Sequence, residues 1–206
     1  HFKDLEDLNI DRAVDTIFQK DVMTEPTNIY YWVLNKEEYQ KRYVSEDVEP
    51  NEPFINRSYT SSTSDQEYLG GERRRAFFGS VFENLSSQKT SIHWRLFLFL
   101  HNLVPSKFDN FLGHKGMFNY TKLVFDSCFG NYKDFIYNIT FDGSMLYYLN
   151  LARSTKEKPD ENYAREIQEL FTVGKRPFAK FTEKDVREAA RLLVGCGVDF
   201  GKTVFG

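Results

Sequence analysis

The stretch from Asn162 to Gly174 constrains the fold more than any other part of the sequence. At about 100° per residue, its apolar side chains fall on one side of a helix and its charged side chains fall on the other. Glycine at position 174 predicts an abrupt end, because glycine adopts the left-handed conformation that often closes a helix. The apolar side comprises Tyr163, Ala164, Ile167, Leu170 and Phe171.

A second helix is predicted shortly after the first. Thr182 and Asp185 have the spacing of a capping box, and Gly195 marks the end of the periodic pattern. We predict that segments 162–173 and 183–194 pack against each other. The contact is predicted to use Ile167, Leu170, Phe171, Val186, Ala190 and Leu193.

Helical periodicity also marks most of the remaining chain. Asn9 is the predicted N-cap of a helix that ends near Lys20, and Ser91 caps a helix that runs to Asn102. The helix after Ser91 is apolar nearly all round, which is typical of a central, buried helix. Further helices are predicted at 72–85, 117–128, 132–140 and 144–150. The fold class is therefore all-α, an irregular multi-helix bundle with a long loop and a short extended C-terminal tail.

Three segments break the helical pattern. Residues 28–33 are aromatic and β-branched, and they predict either a short strand or a buried extended run. A long irregular loop covers about 45–68, and residues 198–205 predict the start of a hairpin. We interpret residues 1–206 as a single domain and as a fragment of a longer protein. The tail would then be completed by missing chain or by a partner.

Composition argues against several classes of function. The net charge is −3 and the pI is about 5.9, so no nucleic-acid partner is predicted, and the basic run at 73–75 fits a solvated helix face. No apolar run reaches the length of a membrane span. Cys128 and Cys196 are expected to be buried free thiols. Motifs for zinc, phosphate or nucleophilic catalysis are missing, so we predict no cofactor and no metal.

The charged side of the Asn162 helix allows three interpretations. Asn162, Arg165, Glu166 and Glu169 lie at spacings of three, four and seven, so they form one stripe. The stripe is a solvated face, a buried structural network, or a pair of carboxylates for acid–base or metal chemistry. Within the network interpretation, we predict that Arg165 is a buried residue that ties this helix to the rest of the domain.

His101 and Asn102 form the second candidate group. A His at a helix C-terminus interacts favourably with the helix dipole, which is the structural interpretation. In the catalytic interpretation His101 lies beside Glu166 or Glu169 and acts as a base or metal ligand. The candidate catalytic residues are His101, Glu166 and Glu169. The candidate binding or structural network comprises Asn102, Asn162 and Arg165.

Four pieces of sequence, in order along the chain, resemble the signature of one large bacterial family, catalogued as domain of unknown function 1800. The pieces are Gly130-Asn131-Tyr132, Ser144-Met145-Leu146 before Tyr148-Leu149, Asn162-Tyr163-Ala164-Arg165-Glu166 through Gly174, and Phe181-Thr182-Glu183 through Gly195. The resemblance covers roughly Leu96 to Gly195. Leu103 stands where the family has a second His, and Cys196 stands where it has Trp. A site that uses that His or Trp is absent or rebuilt in this chain.

The resemblance implies an exported bacterial protein, in the periplasm, at the outer membrane or on the cell surface, and it implies no known reaction. We therefore expect a binding or assembly module of a cell-envelope complex. Its partner would be another protein or the remainder of the same chain. The alternative is an enzyme, metal-assisted or not, that uses His101 with Glu166 or Glu169.

Overall fold

The computed structural model describes residues 3–23, 77–87, 91–107, 113–175, 177, 179–199 and 202–205. The predictions for residues 28–33, the loop at about 45–68 and the basic run at 73–75 lie outside these residues.

The fold is mostly helical, as the sequence predicts. The helices are α1 Lys3–Glu6, α2 Ile10–Ile17, α3 at 77–87, α4 His93–Leu103, α5 Gly113–Asp126, α6 Tyr132–Thr140, α7 Gly143–Tyr148, α8 Glu161–Glu166 and α9 Glu183–Leu192. A short 3-10 helix, Leu151–Arg153, follows α7, and a π-helix, Ile167–Thr172, continues α8. Two strands, β1 Cys196–Asp199 and β2 Lys202–Phe205, close the described chain.

Local chemistry fixes several helix ends at or close to the positions that the sequence predicts. The side chain of Asn9 accepts a hydrogen bond from the Arg12 N–H at 2.9 Å, and this caps α2. Thr182 and Asp185 form a complete capping box at the start of α9. Gly174 and Gly195 have φ angles of 91° and 84°, the left-handed conformation that ends a helix.

One large core connects most of the elements. Trp94 and Phe97 of α4 contact Phe125 of α5, with ring centroids 4.6 and 5.9 Å apart. Met23 and Phe77, which are far apart in the sequence, are both buried in this core. The other fully buried members include Val104, Tyr120, Val124, Phe135, Ile139, Met145, Leu146, Leu151 and Tyr163. The core therefore joins the N-terminal segment to the helices that carry the candidate site.

Helix α4 is buried on one side only. His93, Trp94 and Phe97 face the core, but Phe99 is 63% exposed, and Leu98 and Leu103 are exposed as well. The prediction of a central, fully buried helix is therefore wrong for its outer face. Apolar composition all round a helix indicates that each side can be covered, but it does not ensure that this chain covers each one.

The prediction that Leu170 belongs to the core is also wrong, because its side chain is 48% exposed. In an α-helix, Leu170 would lie about 60° around the axis from Ile167, on the buried side. The π-helix places more residues in each turn, so each residue advances by a smaller angle. Leu170 then turns away from Ile167, whereas Phe171 comes round to the core and is buried.

Helices α8 and α9 do pack together, as predicted, through a smaller apolar cluster. Ala164 meets Val186 and Ala190, and all three are buried. Ile167 instead packs against the main core. The small side chain of Ala164 allows α9 to approach closely, so the contact forms before the π-helix begins.

The extended tail is a closed hairpin rather than the first half of one. Strands β1 and β2 are antiparallel, with Cys196 opposite Phe205 and Asp199 opposite Lys202. Cys196 is buried in the main core and anchors the hairpin there. None of the described helices combines the length and apolar composition needed to cross a bilayer.

Candidate functional site

The candidate stripe lies on α8, which begins slightly earlier than predicted. Asp160 is the N-cap, and its carboxylate accepts a hydrogen bond from the Asn162 N–H at 2.8 Å. Helix α8 therefore includes Glu161 in its first turn. Because the helix starts here, Arg165 has a carboxylate one turn before it, at Glu161, in addition to Glu166 and Glu169 after it.

Arg165 binds α9 through a two-bond fork. Its Nη1 and Nη2 atoms donate to Glu183 Oε1 and Oε2 at 3.0 and 2.8 Å. Nη2 also donates to Glu161 at 3.2 Å, whereas Glu169 lies at the longer ion-pair distance of 3.7 Å. The hydrogen bond to Glu183 is the main reason that the pKa of Arg165 is raised. Arg165 thus ties α8 to α9 through Glu183.

The predicted burial of Arg165 is not observed. Its side chain is 33% exposed and its main partner Glu183 is 58% exposed, so the prediction of a buried ion pair is wrong. The guanidinium lies at the edge of the contact between α8 and α9, where both helices meet solvent. Charge pairs in such positions contribute about 0–1 kcal/mol, well below the contribution of a buried pair.

The other members of the stripe do not join this fork. Asn162 turns towards α7, and its Nδ2 atom donates to the Leu149 carbonyl at 3.3 Å. Glu166 is half-buried, and the structure records no hydrogen bond or ion pair for it within the described residues. The stripe therefore divides into the Arg165 fork, a helix-to-helix tie at Asn162 and a separate carboxylate at Glu166.

His101 lies near the end of α4, as predicted, and its ring contacts aromatic neighbours. The ring centroids of Phe97 and Tyr120 are 5.5 and 5.9 Å away. Burial lowers the pKa of His101, because the charged imidazolium loses hydration there. The neighbouring Asn102 is exposed.

The two halves of the catalytic hypothesis are not joined by a recorded contact. Neither a hydrogen bond nor an ion pair links His101 to Glu166 or Glu169 in the part of the chain that is described. Over the same residues, no group of three or more His, Cys, Asp and Glu side chains is placed to hold a metal ion. The enzyme hypothesis remains a prediction.

His93 is a buried polar residue whose role the sequence does not reveal. Its Nδ1 atom accepts a hydrogen bond from the Asp21 N–H at 2.9 Å, so Nε2 carries the proton and donates to the Phe125 carbonyl at 2.9 Å. The ring also stacks on Phe125 at 3.9 Å. His93 therefore fastens the segment after α2 to α4 and α5.

Asp142 is a second residue that sequence patterns did not single out. Its Oδ1 atom accepts hydrogen bonds from the Ser144 and Met145 N–H groups at 2.9 and 3.2 Å, and this caps α7. Burial raises the pKa of Asp142 to about 6, against the opposing effect of those two hydrogen bonds. An Asp just before a helical pattern signals an N-cap, but its burial depends on tertiary contacts.

Two buried tyrosines lie close enough to Asp142 for its charge to affect them. Tyr163 donates to Thr140 Oγ1 at 2.8 Å, and Tyr120 donates to the Val104 carbonyl. Burial raises the pKa of each phenol, and the Asp142 carboxylate raises it further. Both hydroxyls have partners, so this cluster stabilises the junction of α5, α7 and α8.

Both cysteines are free thiols, as expected, and Cys196 is buried while Cys128 is half-buried. Burial raises the pKa of Cys128 to about 12, and the nearby Asp126 carboxylate acts in the same direction. A thiol with a raised pKa forms little thiolate near neutral pH, so it is a poor nucleophile. We therefore interpret Cys128 and Cys196 as packing residues.

Comparison with known proteins identifies the family of the chain. No curated protein and no solved structure matches it. One family model matches residues 1–205, across the whole described structure and the motifs quoted above. The chain belongs to the family described as "Protein of unknown function (DUF1800)".

Proposed function

We propose that this protein is exported and acts as a binding or assembly module of a cell-envelope complex, with another protein as its partner. The observation that carries the proposal is the outer face of α4. Phe99 and Leu103 lie one turn apart on that face, Leu98 lies beside them, and all three are exposed. The proposal of export and of an envelope setting rests on the family resemblance.

The position of this face supports the proposal more than its composition does. Single exposed apolar side chains are ordinary on protein surfaces, whereas a contiguous patch on a rigid element is typical of a contact site. The opposite face of α4 is fixed by Trp94 and Phe97 in the core. The exposed residues Leu98, Phe99 and Leu103, which we call the α4 patch, are therefore held rigidly. Binding at the α4 patch would require little ordering of the chain.

The composition of the patch fits a protein partner. A phenylalanine between two leucines offers the apolar centre of an interface, and the exposed Asn102 on the same side offers a polar rim. Aromatic side chains are enriched at such centres. We expect the partner to present an apolar helix or sheet surface to α4.

The test replaces Phe99 with a photo-crosslinking phenylalanine in the full-length protein, expressed in its source organism. Tyr137 on α6 is the matched control, because its exposure of 65% is close to the 63% of Phe99. We expect irradiation to produce an adduct with one distinct protein from position 99 and much less from position 137. With the crosslinker moved to position 103, we expect an adduct with the same partner. Adding Phe99→Glu to that chain should remove this adduct, whereas adding Tyr137→Glu should not.

Equal yields from positions 99 and 137 would refute the binding face. Fractionation of the same cells tests the setting separately. The proposal expects the full-length protein in the envelope or secreted fraction, and recovery in the cytosolic fraction would contradict export. The two results are independent, so a failure of one part leaves the other interpretable.

A further inference from the structure

The segment that follows α2 is attached to α4 by side chains. We call residues 18–22 the connecting segment. The Gln19 carbonyl accepts a hydrogen bond from the Ser91 hydroxyl at 2.7 Å, and the Asp21 N–H donates to His93 Nδ1 at 2.9 Å. Of the two side chains on α4 and at its start, only that of His93 changes its charge between about pH 5 and pH 8. The attachment of the connecting segment therefore contains a group that responds to pH.

The hydrogen bonds of the His93 ring require its neutral form. A backbone N–H is always a donor, so Nδ1 presents its lone pair to Asp21. Nε2 carries the proton and lies 2.9 Å from the Phe125 carbonyl. A charged ring carries hydrogen on both nitrogens, so Nδ1 and the Asp21 N–H would then be two donors facing each other. Protonation of His93 therefore replaces this hydrogen bond with a repulsive contact.

The ring is held tightly, so it cannot easily turn away from such a contact. His93 is 3% exposed, and it stacks on Phe125 with ring centroids 3.9 Å apart. The ring of Phe129 lies 4.8 Å from it on another side. Phe129 also contacts Phe18 at 6.3 Å, so the same aromatic group reaches the start of the connecting segment. Because the imidazole is fixed, we expect the connecting segment to move instead.

The charged groups around the ring affect how readily it takes up a proton. Burial disfavours the imidazolium, whereas the Asp21 carboxylate favours it. The carboxylate lies within about 8 Å of Nδ1, because only four bonds separate its oxygens from the nitrogen that donates to the ring. Its Oδ2 atom is buried and has no hydrogen-bond partner among the described residues.

The other ionisable groups beside the ring's contacts do not take this role. On the connecting segment, α4 and the end of α5, they are Lys20, Arg95, Lys122, Asp126 and Cys128. Lys20 and Arg95 are exposed, and Lys122 and Asp126 are exposed and pair with each other at 2.5 Å. The thiol of Cys128 is neutral, because burial raises its pKa to about 12. The Asp21 carboxylate is therefore the charge that acts on the ring.

We propose that His93 makes the position of α2 pH-dependent: when its ring takes up a proton, the connecting segment separates from α4 while the core stays folded. The attachment is present while the ring is neutral and is lost as the pH falls and the ring becomes charged. The remaining hydrogen bonds, to the Ile17 and Gln19 carbonyls, lie at the partly exposed end of α2, where water can replace them. Met23 stays buried, so α2 moves about a fixed point.

The test follows the ring and the Asp21 amide by NMR in the full chain. Two-bond ¹H–¹⁵N spectra of the imidazole show which nitrogen carries hydrogen, and His93→Asn assigns the resonances. We expect hydrogen on Nε2 alone at about pH 7.5 and on both nitrogens at about pH 5. Amide hydrogen exchange is compared as protection factors, which divide out the pH dependence of exchange itself. Between these pH values the protection of Asp21 should fall at least about tenfold, the scale of one hydrogen bond, while that of the buried Val124 on α5 stays within about twofold.

The variants separate the ring from other effects of acid. His93→Asn places Oδ1 on the γ-carbon where His has Nδ1, so it can accept from Asp21 but does not titrate. Its Asp21 amide should have the same protection at both pH values. The matched control is His101→Asn on the same helix, in which the fall should remain. In Asp21→Asn the fall should move to lower pH by about one unit, because the carboxylate that favours the imidazolium is gone.

Three results would overturn the proposal. One is a ring that carries hydrogen on Nδ1 at about pH 7.5 or stays neutral at about pH 5. Another is a charged ring with unchanged protection of Asp21; both of these need only the unaltered protein, so they decide the matter even if His93→Asn does not fold. The third is a fall that persists in His93→Asn or is shared by Val124, which would mean that acid unfolds the domain as a whole. Asp142 cannot imitate the expected result, because acid favours the folded state at that residue.

Discussion

Replacing Asp142 with Asn should make the protein more stable at neutral pH. Asn caps a helix about as well as Asp, so the hydrogen bonds from Ser144 and Met145 at the start of α7 are retained. The substitution removes the charge that burial disfavours. Because burial raises the pKa of Asp142, its ionisation opposes folding whenever the carboxyl group is charged in the folded state.

The expected magnitude follows from the size of the pKa shift. The pKa rises from 3.8 to about 6 on folding. At about 1.4 kcal/mol per pH unit, ionisation of Asp142 costs the folded state about 2–3 kcal/mol once the pH exceeds 6. The folded state binds more protons than the unfolded state between pH 4 and 6. The stability of the unaltered protein should therefore fall as pH rises through this window.

The assay is urea unfolding of the unaltered protein and of Asp142→Asn at pH 4 and pH 7. We expect similar free energies of unfolding at pH 4 and an advantage of about 2–3 kcal/mol for the variant at pH 7. Asp142→Ala also removes the charge but loses the cap, so it should be about 1 kcal/mol less stable than Asp142→Asn at both pH values. A difference between Asp142→Asn and the unaltered protein that is the same at pH 4 and pH 7 would refute the reasoning.

Two further predictions concern α8 and the π-helix that continues it. Leu170→Ala should lower the free energy of urea unfolding by less than about 1 kcal/mol, whereas Phe171→Ala should lower it by about 3–5 kcal/mol, because only Phe171 is buried. A larger loss for Leu170→Ala than for Phe171→Ala would contradict the register of the π-helix. Arg165→Lys should cost at most about 1 kcal/mol in thermal unfolding, because the fork with Glu183 lies partly in solvent, and a loss of about 3 kcal/mol or more would restore the interpretation of a buried pair.

The features that the sequence predicted correctly depend on neighbouring residues. Asn9 binds a backbone N–H three positions away, and Thr182 binds Asp185 at the same spacing. Gly174 ends its helix through its own backbone conformation. Such interactions are encoded within one turn of helix, so reading the chain locally is enough to find them.

The features that it missed depend on contacts between distant segments. The sequence places Arg165 on one stripe with Glu166 and Glu169, but its main partner is Glu183, which is 18 positions away on α9. The ring of His93 bonds to Asp21 and Phe125, far apart in sequence. Periodicity places a side chain on one face of a helix, but it does not identify the segment that meets that face.

The π-helix accounts for two differences from the predicted helix, which are the exposure of Leu170 and the long distance between Arg165 and Glu169. In an uninterrupted α-helix, Glu169 would lie one turn from Arg165, and Leu170 would lie beside Ile167 on the buried side. Widening the helix from Ile167 onwards turns both residues. Leu170 moves into solvent, and Glu169 remains at an ion-pair distance of 3.7 Å from a guanidinium that hydrogen-bonds elsewhere. Both Nη atoms of the fork hydrogen-bond to Glu183 instead, so the widened segment that uncovers Leu170 also leaves Glu169 at the margin of the tie between α8 and α9.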